Sequence, residues 1–177
     1  DPFSIEDVSV IKNYDIVHVG PLMPTDFPID VIEKIKENNT VVSLDVQGFV
    51  RKLKSSTVVK NEWKGGRKLL KFVDILKCDI DESQMIVKNK TLKRTAQAIA
   101  ALGPKDVIIT KGSKGSHIYS NNKLLKINAP KTKTIDATGA GDTYVAGYLA
   151  KKLDKKPAAE CGRFAAKLAA QKISGRF

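Results

Sequence analysis

Residues 136–143 read Asp-Ala-Thr-Gly-Ala-Gly-Asp-Thr and run into an apolar, helix-forming stretch at 145–150. The two glycines on either side of Ala140 allow a tight backbone turn whose N–H groups point one way. The helix that follows adds its unpaired N-terminal amides and the positive end of its dipole. The segment therefore predicts an anion site of the phosphate-binding type.

Asp142 lies at the mouth of this predicted anion site. A carboxylate beside a transferring phosphoryl group can accept the proton of an attacking hydroxyl. The alternative is that Asp142 only caps the helix and the glycines only make a turn. Two other phosphate motifs are excluded: the sequence has no Gly-x-x-x-x-Gly-Lys-Ser/Thr string, and Tyr144 stands where the dinucleotide fingerprint needs its third glycine.

Outward from this segment, short apolar runs alternate with amphipathic stretches. The runs predict strands at 15–19, 41–45, 73–77 and 106–110. Helical spacing of apolar residues predicts helices at 29–38 and 91–102, and the Ala-rich stretches at 141–153 and 158–173 are also predicted to be helical. The Asn121-Asn122 pair predicts a β-hairpin between 116–119 and 123–127. The alternation predicts a three-layer α/β/α fold with a mostly parallel sheet, whose ligands bind beyond the carboxyl ends of the strands.

Composition narrows the class of protein. The chain has 177 residues, 42% of them hydrophobic, and a formal net charge of +12, which predicts one globular domain that attracts anionic ligands. No apolar stretch suits a membrane span, and the first residues do not read as a signal peptide. The lysines are scattered and aromatics make up 6%, which disfavours a nucleic-acid partner. With two distant cysteines, Cys78 and Cys161, the sequence predicts a reducing, cytoplasmic location.

The segment at 136–143 resembles the C-terminal signature of the ribokinase-like (PfkB-type) carbohydrate kinases. Three further stretches resemble the same family in the same order: 44–51, 73–82 and 107–115. The resemblance implies a ribokinase-like fold and transfer of the γ-phosphate of ATP to a hydroxyl of a sugar or polyol. It also implies Mg²⁺ and leaves open a monovalent cation and a homodimer.

Residue roles follow from the resemblance, position by position. Asp142 is implied as the catalytic base that also touches the substrate, and the amides of Gly139, Ala140, Gly141 and Asp142 as the anion hole. Thr110, Gly112 and Gly115 are implied to contact the nucleotide, and Thr138 to hold the substrate or the phosphate. Glu82 is implied to act on magnesium through water, with Asp79 in place of the family's usual asparagine. Asp136 matches the residue near the family's monovalent cation.

Two other residues allow more than one interpretation. Arg51 follows a strand exit, where it either pairs a phosphate or acidic substrate group or is an ordinary surface arginine. His18 lies inside an apolar strand, and we predict a packed histidine there.

Nothing in the sequence matches the N-terminal part of the family, which supplies substrate contacts and a lid. We therefore expect residues 1–177 to be one α/β domain, the C-terminal nucleotide-binding part of such a kinase, with the N-terminal part absent. Two rival functions stay open at this point: a kinase of a nucleoside or vitamin alcohol, and a non-catalytic module that only grips an anion.

Overall fold

A computed structural model describes residues 1–55, 57–63 and 65–176 of the chain. Its strands are β1 Ile16–Val19, β2 Val41–Asp45, β3 Arg51–Lys54, β4 Thr57–Lys60, β5 Ile75–Asp79, β6 Asp106–Thr110, β7 Ser116–Ser120 and β8 Lys123–Ile127. Its α-helices are α1 Ile5–Ser9, α2 Ile29–Glu37, α3 Gly66–Leu69, α4 Ile80–Ile86, α5 Leu92–Ala100, α6 Ala140–Leu153 and α7 Ala158–Ile173. Within the described ranges, no helix is both long and apolar enough to cross a membrane.

Six strands form the central sheet in the order β1-β2-β5-β6-β7-β8. The first four are parallel, and β7 and β8 run antiparallel at one edge. Asn121 and Asn122 both have positive φ (48° and 61°), as a two-residue hairpin turn requires. The mostly parallel sheet and the hairpin near the C-terminal third, both predicted from the sequence, are confirmed.

Helices cover both faces of the sheet, which confirms the three-layer prediction. On one face, α6 and α7 pack on β5 to β8 through a core that includes Ile108, Ile118 and Tyr148. On the other face, α2 and α5 pack on a core that includes Leu44, Leu76 and Ile99. Apolar side chains from both faces of each central strand are thus buried, which explains why these strands read as continuous apolar runs.

The structure departs from the predicted strands in two places. The strand predicted at 73–77 instead begins at Ile75 and ends at Asp79, because the amide of Val73 closes the preceding 3₁₀ turn on Leu70. Strands β3 and β4 form a separate antiparallel two-stranded sheet that the sequence did not predict. The side chains of β4 are largely exposed, so this strand lacks the apolar run that reveals a buried strand.

A buried carboxylate joins the sheet to α6. Asp106 is 3% exposed and accepts hydrogen bonds from Ser120 Oγ (2.6 Å), Tyr148 Oη (2.9 Å) and Lys152 Nζ (2.7 Å). Desolvation and the neighbouring Asp106 raise the pKa of Tyr148, so its hydroxyl stays a hydrogen-bond donor. This cluster fixes the position of α6 on the sheet.

Candidate active site

The turn before α6 is held by its own backbone and by α7. The carboxylate of Asp136 accepts a hydrogen bond from the amide of Thr138 at 2.8 Å. The amides of Ile135 and Asp136 both donate to the carbonyl of Ile173 at the end of α7 (2.7 and 3.2 Å). Gly139 is the N-cap of α6 and has φ +74°, a left-handed conformation that glycine adopts without strain.

Three of the four amides implied as an anion hole are free. In the part of the chain that the structure describes, the amides of Gly139, Gly141 and Asp142 donate to no protein acceptor. The amide of Ala140 instead donates to the carbonyl of Ala137 at 3.2 Å. Free amides at a helix N-terminus, together with the helix dipole, favour a bound anion.

Asp142 is the third residue of α6, and its side chain is exposed. The N-cap of the helix is Gly139, and no side chain caps this end. Asp142 is therefore not the capping residue, so that alternative interpretation is wrong. Among the described residues its carboxylate accepts no hydrogen bond, which leaves both oxygens available to a ligand.

A cavity of ≈ 480 Å³ opens beside the first turn of α6. Small residues make up much of its wall, because α7 presents Ala166, Ala169 and Ala170 to it. The three residues implied to contact a nucleotide all line this cavity: Thr110, Gly112 and Gly115. Thr138, implied to hold the substrate or the phosphate, does not line it.

The loop between β6 and β7 shapes the cavity and requires glycine at one position. Gly115 has φ +85°, and a Cβ atom there would lie 2.1 Å from the carbonyl oxygen of Ile127. No other residue fits this position without moving β8. Thr110 is tied to the neighbouring strand, since its hydroxyl donates to the carbonyl of Cys78 at 3.3 Å.

Asp79 and Glu82 form the capping box of α4. Asp79 Oδ1 accepts from the amide of Glu82 (2.7 Å), and Glu82 Oε2 accepts from the amide of Asp79 (2.6 Å). Glu82 is 6% exposed, and this burial raises the pKa of its carboxyl. The second oxygen of each carboxylate has no described partner. The pair therefore fits a hard cation such as Mg²⁺ that keeps most of its waters.

Other metal assignments have less support. In residues 1–55, 57–63 and 65–176, no three His, Cys, Asp or Glu side chains cluster in a way that could hold a metal ion. Asp136 is exposed, and its hydrogen bond from Thr138, with the charge of Lys172, lowers the pKa of its carboxyl. Its association with a monovalent cation stays a prediction, and no step below depends on it.

A row of polar side chains from three strands was missed at the sequence level. His18, Ser43, Asp45 and Lys77 share the sheet face that α6 covers. His18 Nδ1 lies 3.0 Å from Ser43 Oγ, and the Lys77 Nζ lies 2.7 Å from Asp45 Oδ2. Polar residues within otherwise apolar strands are the signal that could have revealed this row.

His18 is exposed, so the prediction of a packed histidine is wrong. Desolvation lowers the pKa of its imidazole most, and Lys77 lowers it further, while the charges of Asp45 and Asp142 act in the opposite direction. The ring therefore lies within electrostatic reach of the carboxylate at the mouth of the anion site.

Arg51 is half-buried at the start of β3. With its side-chain oxygen turned toward Arg51, Gln47 accepts hydrogen bonds from both terminal guanidinium nitrogens, one of them at 2.8 Å. The amide of Gln47 in turn donates to Asp45 Oδ1 at 3.0 Å. Arg51 thus lies near the strand exit that carries Asp45, and its contact with a phosphate or an acidic substrate group stays a prediction.

The match to a family model agrees with this architecture. The model of the pfkB family carbohydrate kinases matches residues 1–176. The chain belongs to the pfkB family of carbohydrate kinases.

Known relatives and solved structures are similar over nearly the whole chain. The ribokinase of Arabidopsis thaliana is 31% identical over 170 residues, 92% of this chain. A structure of a pyrophosphate-dependent kinase of the ribokinase family, in complex with a pyrophosphate analog and myo-inositol, has a TM-score of 0.89, 28% identity and covers 98% of this chain. The structure of Arabidopsis thaliana ribokinase with ribose and ATP has a TM-score of 0.75 and 28% identity over 97% of this chain.

These matches cover only part of the other proteins. The chain accounts for 42% of the Arabidopsis ribokinase sequence, 62% of the pyrophosphate-dependent kinase structure and 54% of the ribokinase structure. The chain thus spans about half the length of such relatives. The expectation that residues 1–177 are the nucleotide-binding part of a longer kinase stays a prediction.

Proposed function

We propose that the protein transfers the γ-phosphoryl group of ATP to a hydroxyl group of a sugar or polyol. The observation that carries this proposal is the first turn of α6. There, the amides of Gly139, Gly141 and Asp142 and the carboxylate of Asp142 have no described partner, and Ala140 and Gly141 line the cavity of ≈ 480 Å³.

Each part has one task in an in-line transfer. The acceptor hydroxyl oxygen forms a bond to the γ-phosphorus, and its proton passes to the carboxylate of Asp142. The bond from the γ-phosphorus to the bridging oxygen breaks, and its electron pair leaves with ADP. The amides at the N-terminus of α6 donate to the phosphoryl oxygens, where negative charge must be stabilised during transfer.

Asp79 and Glu82 are the residues we assign to magnesium. A bound Mg²⁺ would neutralise phosphate charge, and the two carboxylates would hold it through its waters. Their capping box fixes both side chains at the carboxyl end of β5, next to Thr110 on β6. The carboxylates are therefore pre-positioned without a ligand.

Glu82→Gln tests the magnesium assignment. Glutamine can still accept the hydrogen bond from the amide of Asp79, but it carries no charge to attract the ion. We expect kcat to fall by about 10- to 100-fold, with a higher Mg²⁺ concentration needed for half-maximal turnover. Asp81→Asn is the matched control, because Asp81 is exposed and forms a surface ion pair with Lys60. Equal Mg²⁺ dependence in the two variants would contradict the assignment.

The cavity favours a nucleotide over pyrophosphate as the phosphoryl donor. Pyrophosphate has no group that would occupy an apolar space of this size, whereas a nucleoside does. The similar pyrophosphate-dependent kinase makes this distinction necessary. The ribokinase structure with ATP gives the corresponding support for a nucleotide.

Ala170→Phe tests the donor assignment by filling the cavity. We expect the KM for ATP to rise by about tenfold or more, because the new ring excludes the nucleoside. Affinity for inorganic pyrophosphate should stay unchanged, since the amides of α6 are untouched. Ala150→Phe, on an exposed position of α6, is the control. An unchanged KM for ATP in Ala170→Phe would mean that the cavity does not hold the donor.

The acceptor is assigned as a sugar or polyol on the strength of the family and of relatives with such ligands. Nucleosides remain a second candidate, because a nucleoside kinase of Methanocaldococcus jannaschii is 47% identical over 57 residues of this chain. A phosphoryl-transfer assay with radiolabelled ATP against sugars, polyols and nucleosides decides between them. A homodimer and a cytoplasmic location stay predictions.

A further inference from the structure

Lys77 is a buried lysine in the middle of the central sheet. It lies on β5, opposite Asp45 of β2, and its side chain is 6% exposed. Its Nζ lies 2.7 Å from Asp45 Oδ2, and Asp45 Oδ1 accepts from the amide of Gln47. Both oxygens of Asp45 are therefore occupied, while the ammonium group has further N–H donors to offer.

The ammonium group of Lys77 lies against the first turn of α6, where the anion site is predicted. A Cβ atom on Gly141 would lie 3.1 Å from Lys77 Nζ, so the ammonium lies against the second residue of α6. The amide of Gly141 donates to no acceptor in the described part of the chain. Glycine at this position leaves room for the ammonium beside the helix.

Two sources of positive charge therefore lie next to each other at the start of α6. The N-terminus of α6 carries the positive end of the helix dipole, and the ammonium adds a full charge next to it. Asp45 compensates one charge through its ion pair with the Nζ atom of Lys77. The ion pair with Asp45 holds the ammonium group in this position.

We propose that Lys77 is a further catalytic residue, whose ammonium group donates a hydrogen bond to a non-bridging oxygen of the transferring phosphoryl group. The inference rests on the proposed function and adds a residue to it. Asp45 holds the ammonium in place, and the free amides of α6 approach the phosphoryl group from the helix side. Lys77 keeps its proton throughout, while the acceptor's proton goes to Asp142 and the electron pair of the broken bond leaves with ADP.

A purely structural Lys77–Asp45 pair is the competing explanation. Lys152 provides a comparison within the same chain, since it also pairs with a buried aspartate at 2.7 Å. It lies at the other end of α6, roughly 16 Å along the helix from Gly141. A structural lysine should behave like Lys152, and a phosphate-binding lysine should not.

The experiment measures the affinity of the full chain for metal-free ATP and for inorganic pyrophosphate by calorimetry. The variants are Lys77→Met, Lys152→Met, Asp45→Asn and the double variant Asp45→Asn/Lys77→Met. Lys77→Met alone leaves the buried carboxylate of Asp45 without its partner and can prevent folding. The double variant removes both charges, so affinity can still be measured without Lys77. Asp45→Asn alone retains the ammonium and is the reference for the double variant.

We expect both variants that lack Lys77 to bind ATP and pyrophosphate about 10- to 100-fold more weakly than their references, because a charge-assisted hydrogen bond is lost. Lys152→Met should stay within a few fold of the unmodified chain, while Asp45→Asn, which loosens the ammonium group, should fall between the unmodified chain and the double variant. Unchanged affinity without Lys77, or equal losses in Lys77→Met and Lys152→Met, would overturn the inference.

The proposed function can fail independently of this inference. Affinity for pyrophosphate reports only on the contact between Lys77 and an anion. If the unmodified protein phosphorylates no acceptor but the affinity still falls without Lys77, the kinase assignment fails and the lysine contact stands.

Discussion

Asp142→Asn lowers kcat by about 10²- to 10⁴-fold, the range that a general base contributes. Asparagine keeps the size and shape of the side chain but cannot take the proton of the acceptor hydroxyl. The amides of Gly139, Gly141 and Asp142 remain in place, so ATP affinity should stay within a few fold of the unmodified value. Steady-state turnover, measured with the protein as its complete gene encodes it, and calorimetric ATP binding together check this expectation.

The matched control for this variant is Asp154→Asn. Asp154 is the C-cap of the same helix and forms an exposed ion pair with Lys151. Its substitution should leave kcat and ATP affinity unchanged. Near-normal turnover in Asp142→Asn would show that another group is the base.

Asp106→Ala is expected to destabilise the fold by about 3 kcal/mol. The substitution leaves the buried hydroxyls of Ser120 and Tyr148 without their acceptor. It also removes the partner of Lys152, whose charge is partly relieved because that side chain is 33% exposed. Urea unfolding followed by circular dichroism gives the free energy of unfolding for comparison.

Asp154→Ala is the control for the stability experiment. It breaks the exposed Lys151–Asp154 ion pair and should barely move the unfolding midpoint. Equal shifts for Asp106→Ala and Asp154→Ala would show that the buried cluster does not anchor α6.

The parts of the fold that could be predicted are those that local sequence determines. Buried parallel strands read as apolar runs because both faces are covered, and the Asn121-Asn122 pair adopts the positive φ values of a hairpin turn. The turn before α6 could also be predicted from its glycines, since Gly139 adopts the left-handed conformation at the N-cap of the helix. Helices α2 and α5 follow from their apolar spacing, and α6 and α7 follow from their Ala-rich composition.

The parts that could not be predicted depend on contacts between distant segments. Lys77 meets Asp45 only because β5 and β2 are neighbours in one particular register, and the two residues are 32 positions apart. Glu82 reads as a solvated acidic residue at a helix start, yet α4 buries it at the end of β5. Strand β4 is largely exposed and has no apolar pattern to reveal it.

The most direct test of the central claim is the backbone amide NMR spectrum of the isotope-labelled chain during titration with metal-free ATP. We predict saturable shifts of the Gly139, Gly141 and Asp142 amides, with further shifts at Thr110 and Gly112 on the cavity wall. Binding that leaves the amides of Gly139, Gly141 and Asp142 unmoved would contradict the claim that the N-terminus of α6 holds the phosphoryl group.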